Sequence, residues 1–404
     1  MKSLSRKEFI ALIAVIQMIV AFAIDSMLPA LEAIGRSLHV ANENRWSLVI
    51  TAFTIGFGIC QLFVGTLSDR FGRRGLLLAS LVAYAIFSVV AAASASFVLL
   101  LAARALQGLG AAGARVIAVS AVRDRFSGRD MAQVMSLASA IFMAAPIAAP
   151  FMGTIVLQFA PWRWIFIVLA LVGASVFVWV ALRLPESLAP QNVRKISVAE
   201  VRRSAAIVFG DRQSIAYTIA NTCLTVVVMG FLTSVPLIFA DIFRQPLLLP
   251  YGFGIMALVM MAASFTNAGI VQRFGMRRIG HGALIGMTAF AALHALLALT
   301  MGESLIGFVV LQSLMMACFA LAAGNFGAMA MENMGEAAGT ASSLQGSFSS
   351  VFGAIGGAII GQSFNGTTVP LYVGATLAGL VALVAIIVAE GRLFVPRHER
   401  QGIV

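Results

Sequence analysis

Three charged side chains lie well inside long apolar stretches of sequence, away from their ends: Asp25, Arg104 and Arg115. Placed in a low-dielectric layer, such groups are costly and mark functional sites. Burial opposes the charged form of a carboxyl while a nearby cation favours it, and this competition lets Asp25 exchange a proton for a substrate. Arginine keeps its proton, so Arg104 is read as tuning Asp25 or binding substrate rather than as carrying protons itself. Arg104 and Arg115 are eleven residues apart, which on a helix returns to within ~20° at a separation of about 16 Å. Two cations on one face suit the wall of a wet cavity. Gly108, within ~40° of Arg104 on the same wheel, is expected to leave room between them.

The elements that hold these groups are membrane helices. Of the 404 residues 60% are hydrophobic and 11% charged, and mean hydropathy is +0.98. A water-soluble fold cannot cover that much apolar surface with so few charges. Spans of ~20 apolar residues are read at 9–31, 46–66, 75–95, 97–121, 131–157 and 162–184. Six more are read at 213–240, 251–271, 279–300, 304–330, 337–362 and 369–391. The predicted fold is an all-α membrane protein of twelve transmembrane helices in two six-helix halves, residues 1–184 and 213–404, with a central cavity between them. Residues 185–212 form a polar linker whose basic stretch Arg194 to Val208 is expected to lie on the inner leaflet as a short helix. The tripeptide Arg-Phe-Gly recurs at Arg70 and Arg273, 203 residues apart, as duplication of one half requires.

From its depth in the spans, six residues before Leu31, Asp25 is placed roughly 9 Å below the outer end of helix 1. Arg104, seven residues after Phe97, is placed roughly 10 Å deep, at a matching level. Of 27 Lys and Arg residues, 21 fall on the side of both termini. Only Arg36, Arg45, Arg163 and Arg244 fall on the other. That asymmetry predicts cytoplasmic termini and accounts for the net charge of +11 without a nucleic-acid partner. Trp46, Trp162 and Trp164 then sit at the outer interface.

Other chemistry is thinly represented. Cys60, Cys223 and Cys318 have no metal or redox spacing, and no nucleotide-binding loop or catalytic triad is evident. No enzyme activity, cofactor or metal is expected. The partners expected are a small molecule, protons and membrane lipids, with the chain acting as a monomer. In the second half the interior polarity comes from Asn221, Asn267, Gln312, Asn325 and Gln345 among many Met and Phe. Asn221 and Asn325 are the candidate substrate contacts there. The second half is read as having no buried acid or base except His281 and His294, and His294 as having no acidic partner. Asp69, Arg70 and Arg73 lie in the turn between spans 2 and 3, where an ion pair that breaks on opening would act as an inner gate. Pro146 and Pro150 mark a bend in span 5.

Five stretches in order resemble one family. Gly65-Thr66-Leu67-Ser68-Asp69-Arg70-Phe71-Gly72-Arg73-Arg74 is similar to the motif between helices 2 and 3 of major facilitator superfamily transporters. Arg104-Ala105-Leu106-Gln107-Gly108 is similar to their helix 4 motif, and Pro146-Ile147-Ala148-Ala149-Pro150-Phe151-Met152-Gly153 to the antiporter motif of helix 5. Ile24-Asp25-Ser26-Met27-Leu28-Pro29-Ala30 and Met334 to Ser343 resemble signatures of the twelve-span drug:proton antiporters of the Bcr/CflA type. The resemblance implies proton-coupled export of small, largely apolar drugs from the bacterial cytoplasm, with export of an endogenous metabolite as the alternative. By it, Asp25 falls at the helix 1 acid of proton and substrate handling, Arg104 at the helix 4 proton-coupling position, and Asp69 and Arg73 in the inner gate. Two positions depart from the pattern. Ala144 and Ala145 stand where the helix 5 motif has a glycine, and Arg115 stands in a stretch that is small and apolar in many relatives. Arg115 therefore points to a substrate preference of this chain, including an acidic or strongly hydrogen-bonding compound.

Overall fold

The computed structural model describes residues 4–188, 191 and 198–394. Lys2, Arg194, Lys195, Arg397 and Arg400 lie outside the described residues. Twelve helices among the described residues are long and apolar enough to cross a membrane. The chain divides into two compact units, Met1–Glu200 and Val201–Val404.

In the first unit the helices are α1 (Arg6–Asp25), α2 (Leu31–Ser37), α3 (Leu48–Phe71), α4 (Arg73–Ala92), α5 (Phe97–Arg125), α6 (Gly128–Phe142), α7 (Ala145–Phe159) and α8 (Arg163–Arg183). The second contains the end of α9 (Val198–Gly210), then α10 (Arg212–Leu237), α11 (Leu249–Phe274), α12 (Met276–Thr300), α13 (Leu305–Met331), α14 (Ala338–Gln362) and α15 (Val369–Glu390). Helix starts are marked by polar caps: Ser5, Ser96, Asp211 and Ser304 each accept a first-turn N–H, which would otherwise be orphaned.

Two breaks are dictated by proline. The carbonyl of Asp25 would be paired with the N–H of residue 29, and Pro29 has none. Helix α1 accordingly ends at Asp25, and the chain tightens into a single 3₁₀ turn over Leu28–Ala30 before α2. Likewise Pro146 cannot bond to the carbonyl of Phe142, and span 5 is divided there into α6 and α7. The bend expected from Pro146 is present, although Ala144 and Ala145 replace the glycine. The two breaks meet, because Gly153 of α7 brings its backbone so close to the end of α1 that a Cβ there would stand 2.2 Å from the Ser26 carbonyl oxygen.

The repeated Arg-Phe-Gly is also a repeated conformation. Gly72 joins α3 to α4 at φ 90° and ψ 153°, and Gly275 joins α11 to α12 at φ 80° and ψ 151°. Both lie in the positive-φ region that a side chain disfavours, so the glycine is what makes each sharp turn possible. Inside each unit the helix pairings correspond: α3 and α4 pack on α5, α4 on α8, and α1 on α6 and α7. In the second unit α11 and α12 pack on α13, α12 on α15, and α10 on α14. The buried face of α5 is built from small residues, Gly108, Gly110, Ala111, Ala112, Gly113 and Ala114. Small side chains let helices touch closely, which is how association is driven when lipid is the solvent.

Candidate functional site

The break after Asp25 creates the site around it. In the turn that follows, the N–H of Met27 bonds to Ile24 rather than to Ala23, leaving the Ala23 carbonyl without its helical donor. Arg104 supplies one. Its Nη2 donates to the Ala23 oxygen at 2.9 Å, its Nε to the Val49 oxygen at 3.1 Å, and its Nη1 to Gln107 Oε1 at 2.6 Å. Gln107 Nε2 donates onward to Ser88 Oγ at 2.6 Å. Rings of Phe53 and Phe166 lie 4.5 and 5.7 Å from the guanidinium carbon, where cation–π attraction adds to the hold. Arg104 is 0% exposed and ties α1, α3, α4 and α8 to α5.

Asp25 is also buried, at 6% exposure, and among the described residues it has no ion-pair partner. Arg104 thus binds the backbone two residues before Asp25, at the carbonyl that the proline break leaves bare. The reading of Gly108 is corrected. Instead of leaving room between Arg104 and Arg115 it packs α5 on α3, where a Cβ would stand 2.1 Å from the Phe53 oxygen. Arg115 is only half-buried, with Phe57 and Phe142 at 5.8 and 6.0 Å.

At the other end of the first unit, Asp69 pairs with Arg73 at 2.5 Å, and Arg73 Nε with Asp124 at 3.0 Å. Ser68 also accepts from Arg73. Arg70 stays outside this cluster, its guanidinium over Phe71 at 5.5 Å. Asp124 and Glu186 were not singled out by sequence. Ser187 Oγ donates to Asp124 at 3.0 Å, and the two oxygens of Glu186 accept the first N–H groups of α4, from Arg73 at 2.9 Å and Arg74 at 3.0 Å. Burial opposes the charge of Glu186, but N–H donors from Leu188, Arg73, Arg74 and Ser187 outweigh it and hold its carboxyl below the ordinary range. Its folded pKa being lowered, the stability it contributes is present above the ordinary carboxylate pKa of ~4.3 and is lost as pH falls below that value. Glu186→Gln should therefore lower stability at pH 7 by about 1 kcal/mol. The deficit should shrink below about pH 4, as read by thermal unfolding of detergent-purified protein. A deficit that is constant with pH would assign the loss to packing instead.

The second unit repeats the plan with other residues. Arg277, just after the Gly275 turn, pairs with Glu332 at 3.1 Å and Glu390 at 3.0 Å, the ends of α13 and α15. In the first unit the corresponding acids are Asp124, in the last turn of α5, and Glu186, just after α8. Tyr217 Oη donates to Glu390 at 2.8 Å and lies 3.0 Å from His281 Nε2. The N–H of Phe394 donates to His281 Nδ1 at 3.1 Å, so Nδ1 is the acceptor and Nε2 carries the hydrogen toward Tyr217.

Two expectations are overturned here. Glu390, 7% exposed, and Glu303 are buried acids in the half read as having none. His294 also has an acidic partner, with Nε2 2.9 Å from Glu303 Oε1 and side-chain exposures of 1% and 5%. In sequence Glu303 stands in a short turn and Glu390 at a helix end, positions where charge is ordinarily solvated. Here His294, on which Tyr372 stacks at 3.7 Å, pairs with the first, while Tyr217 and Arg277 bind the second. Asn325 Nδ2 donates to Asn267 Oδ1 at 2.9 Å and to the Leu321 carbonyl at 2.7 Å, and so joins α13 to α11. Asn221 is half-buried on α10.

Comparison with known proteins agrees with this plan. Residues 13–357 match the model of the Major Facilitator Superfamily. The chain is 30% identical over 386 residues to the uncharacterized MFS-type transporter YdgK of Bacillus subtilis, covering 94% of this chain and 92% of that one. It is 28% identical to the bicyclomycin resistance protein homolog of Haemophilus influenzae over 369 residues, covering 90% and 91%. Among solved structures, the D-xylose–proton symporter superposes with a TM-score of 0.73 at 16% identity, covering 97% of this chain and 98% of that one. Twelve membrane-crossing helices, a duplicated plan and a family match over most of the length make this chain a multi-pass membrane transporter of the Major Facilitator Superfamily.

Proposed function

We propose that this transporter is a proton-coupled antiporter of the bacterial cytoplasmic membrane, exporting small, largely apolar drugs by alternating access. The observation that carries the reading is Asp25, a buried acid without an ion-pair partner among the described residues, at the break of a helix that Arg104 fixes to α5. A carboxyl so placed alternates between holding a proton and yielding it as substrate enters. Arg104 keeps that helix end in place and so controls where the proton is held. The names borne by the relatives support drugs as the cargo, and the distribution of Lys and Arg supports cytoplasmic termini. The chain works as a monomer among membrane lipids.

The cluster of Asp69, Arg73 and Asp124 acts as the inner gate. Such a contact stabilises one conformation and touches no substrate, so its loss changes how fast states interconvert. Asp69→Asn should slow turnover roughly tenfold, ~1.4 kcal/mol of barrier, while substrate Kd stays within about twofold. Equal losses in both would place Asp69 in the binding site.

The reading as a whole is tested in cells and in vesicles. Expression should lower susceptibility to several unrelated apolar antimicrobials, and an imposed pH gradient should drive their uptake into inverted vesicles. Unchanged susceptibility across a diverse panel would contradict drug export, and transport indifferent to the gradient would contradict antiport.

A further inference from the structure

Arg104 and Arg115 share one face of α5 but not one condition. Each strong donor direction of Arg104 has a partner, and the residue is 0% exposed. Arg115 stands eighteen residues after Phe97 and ten before Arg125, well inside the span. Among the described residues its guanidinium has no hydrogen bond and no acid, only the rings of Phe57 from α3 and Phe142 at the end of α6. Nor does it point to lipid. Leu106, 39% exposed, is nine residues earlier, which on a helix is ~180° away. Arg115 nonetheless keeps accessible surface, on the side of α5 opposite Leu106.

A guanidinium keeps its charge in this layer, and holding it there without a counter-ion is unfavourable. A structural role would be expected to come with bonds like those of Arg104. The free fork of N–H donors instead matches two oxygens of one acidic group. Phe57 and Phe142 line the approach to it with flat apolar surface, suited to the frame that carries such a group.

Resting on the transport reading above, we propose that Arg115, between Phe57 and Phe142, is a subsite for the acidic group of organic acids built on a flat apolar frame. Substrates then fall into two classes: acids anchored at Arg115, and neutral compounds held by apolar contact alone.

The test uses dansyl-phenylalanine, a carboxylate on an aromatic frame, and its methyl ester, which differs in that charge. Binding of each to purified protein is followed by dansyl fluorescence for wild type, Arg115→Gln and Arg115→Lys. Wild type should bind the acid at least about tenfold more tightly than the ester, the effect of ~1.4 kcal/mol. Arg115→Gln should abolish that preference by weakening the acid alone, and Arg115→Lys, keeping the charge but not the fork, should retain part of it. Ester affinity shared by all three proteins reports that the fold is intact. Equal affinity for acid and ester in wild type, or an Arg115→Gln protein that still prefers the acid, would overturn the subsite while leaving drug export standing. Binding of neither probe, together with unchanged drug susceptibility of expressing cells, would overturn both.

Discussion

Arg104→Lys should lose nearly all transport although it preserves the charge. A lysine ammonium is a point donor on a flexible stem, and it cannot reach the Ala23 carbonyl, the Val49 carbonyl and Gln107 at once as the planar guanidinium does. At least one buried carbonyl is then left without a donor, at about 1–3 kcal/mol each, and the end of α1 that carries Asp25 is no longer pinned to α5. We expect Arg104→Lys to be expressed and folded but less stable by about 2–4 kcal/mol. Proton-driven transport should fall by about 100-fold or more. Because the partners are backbone atoms, no second substitution restores them. That separates this anchor from an ion pair, which a swapped pair of charges can rebuild. Near-normal transport in Arg104→Lys would show that charge alone matters at this position.

Much of this architecture is legible in the sequence because its causes are short-range. Span positions follow from apolar length, the division of span 5 from Pro146, and the paired sharp turns from Gly72 and Gly275 within the repeated Arg-Phe-Gly. The end of α1 at Asp25 is legible too, since Pro29 sits four residues on. The partners of Arg104 are a different matter. They are main-chain oxygens, which every residue has, so no side-chain pattern announces them, and depth gives only the shared level of Arg104 and Asp25. The acids of the two basic turns are inconspicuous in the sequence for a related reason. Asp124, Glu186, Glu332 and Glu390 all follow or end spans, where a solvated charge needs no explanation. Their roles arise because equivalent helices of each unit return to the same turn, a tertiary fact. The first unit divides the work between the side chain of Arg73 and the N-terminus of α4, and the second gives both acids to Arg277. Glu303 shows the same limit: read as part of a turn, it pairs with His294 once the helices pack.

The central claim is that Asp25 exchanges its proton for substrate, and the most direct measurement counts that proton. Purified protein in weakly buffered solution is mixed with a compound to which expression confers resistance, and the pH change is recorded while binding is measured in parallel. Wild type should release protons on binding, up to one for each molecule bound. Asp25→Asn keeps the shape of the side chain but has no titratable proton, so it should bind the compound within about tenfold of wild-type affinity and release none. The same variant in proteoliposomes should equilibrate the compound without concentrating it under a pH gradient. Undiminished proton release from Asp25→Asn, together with normal gradient-driven accumulation, would contradict the account and leave Asp25 as a structural residue at the end of α1.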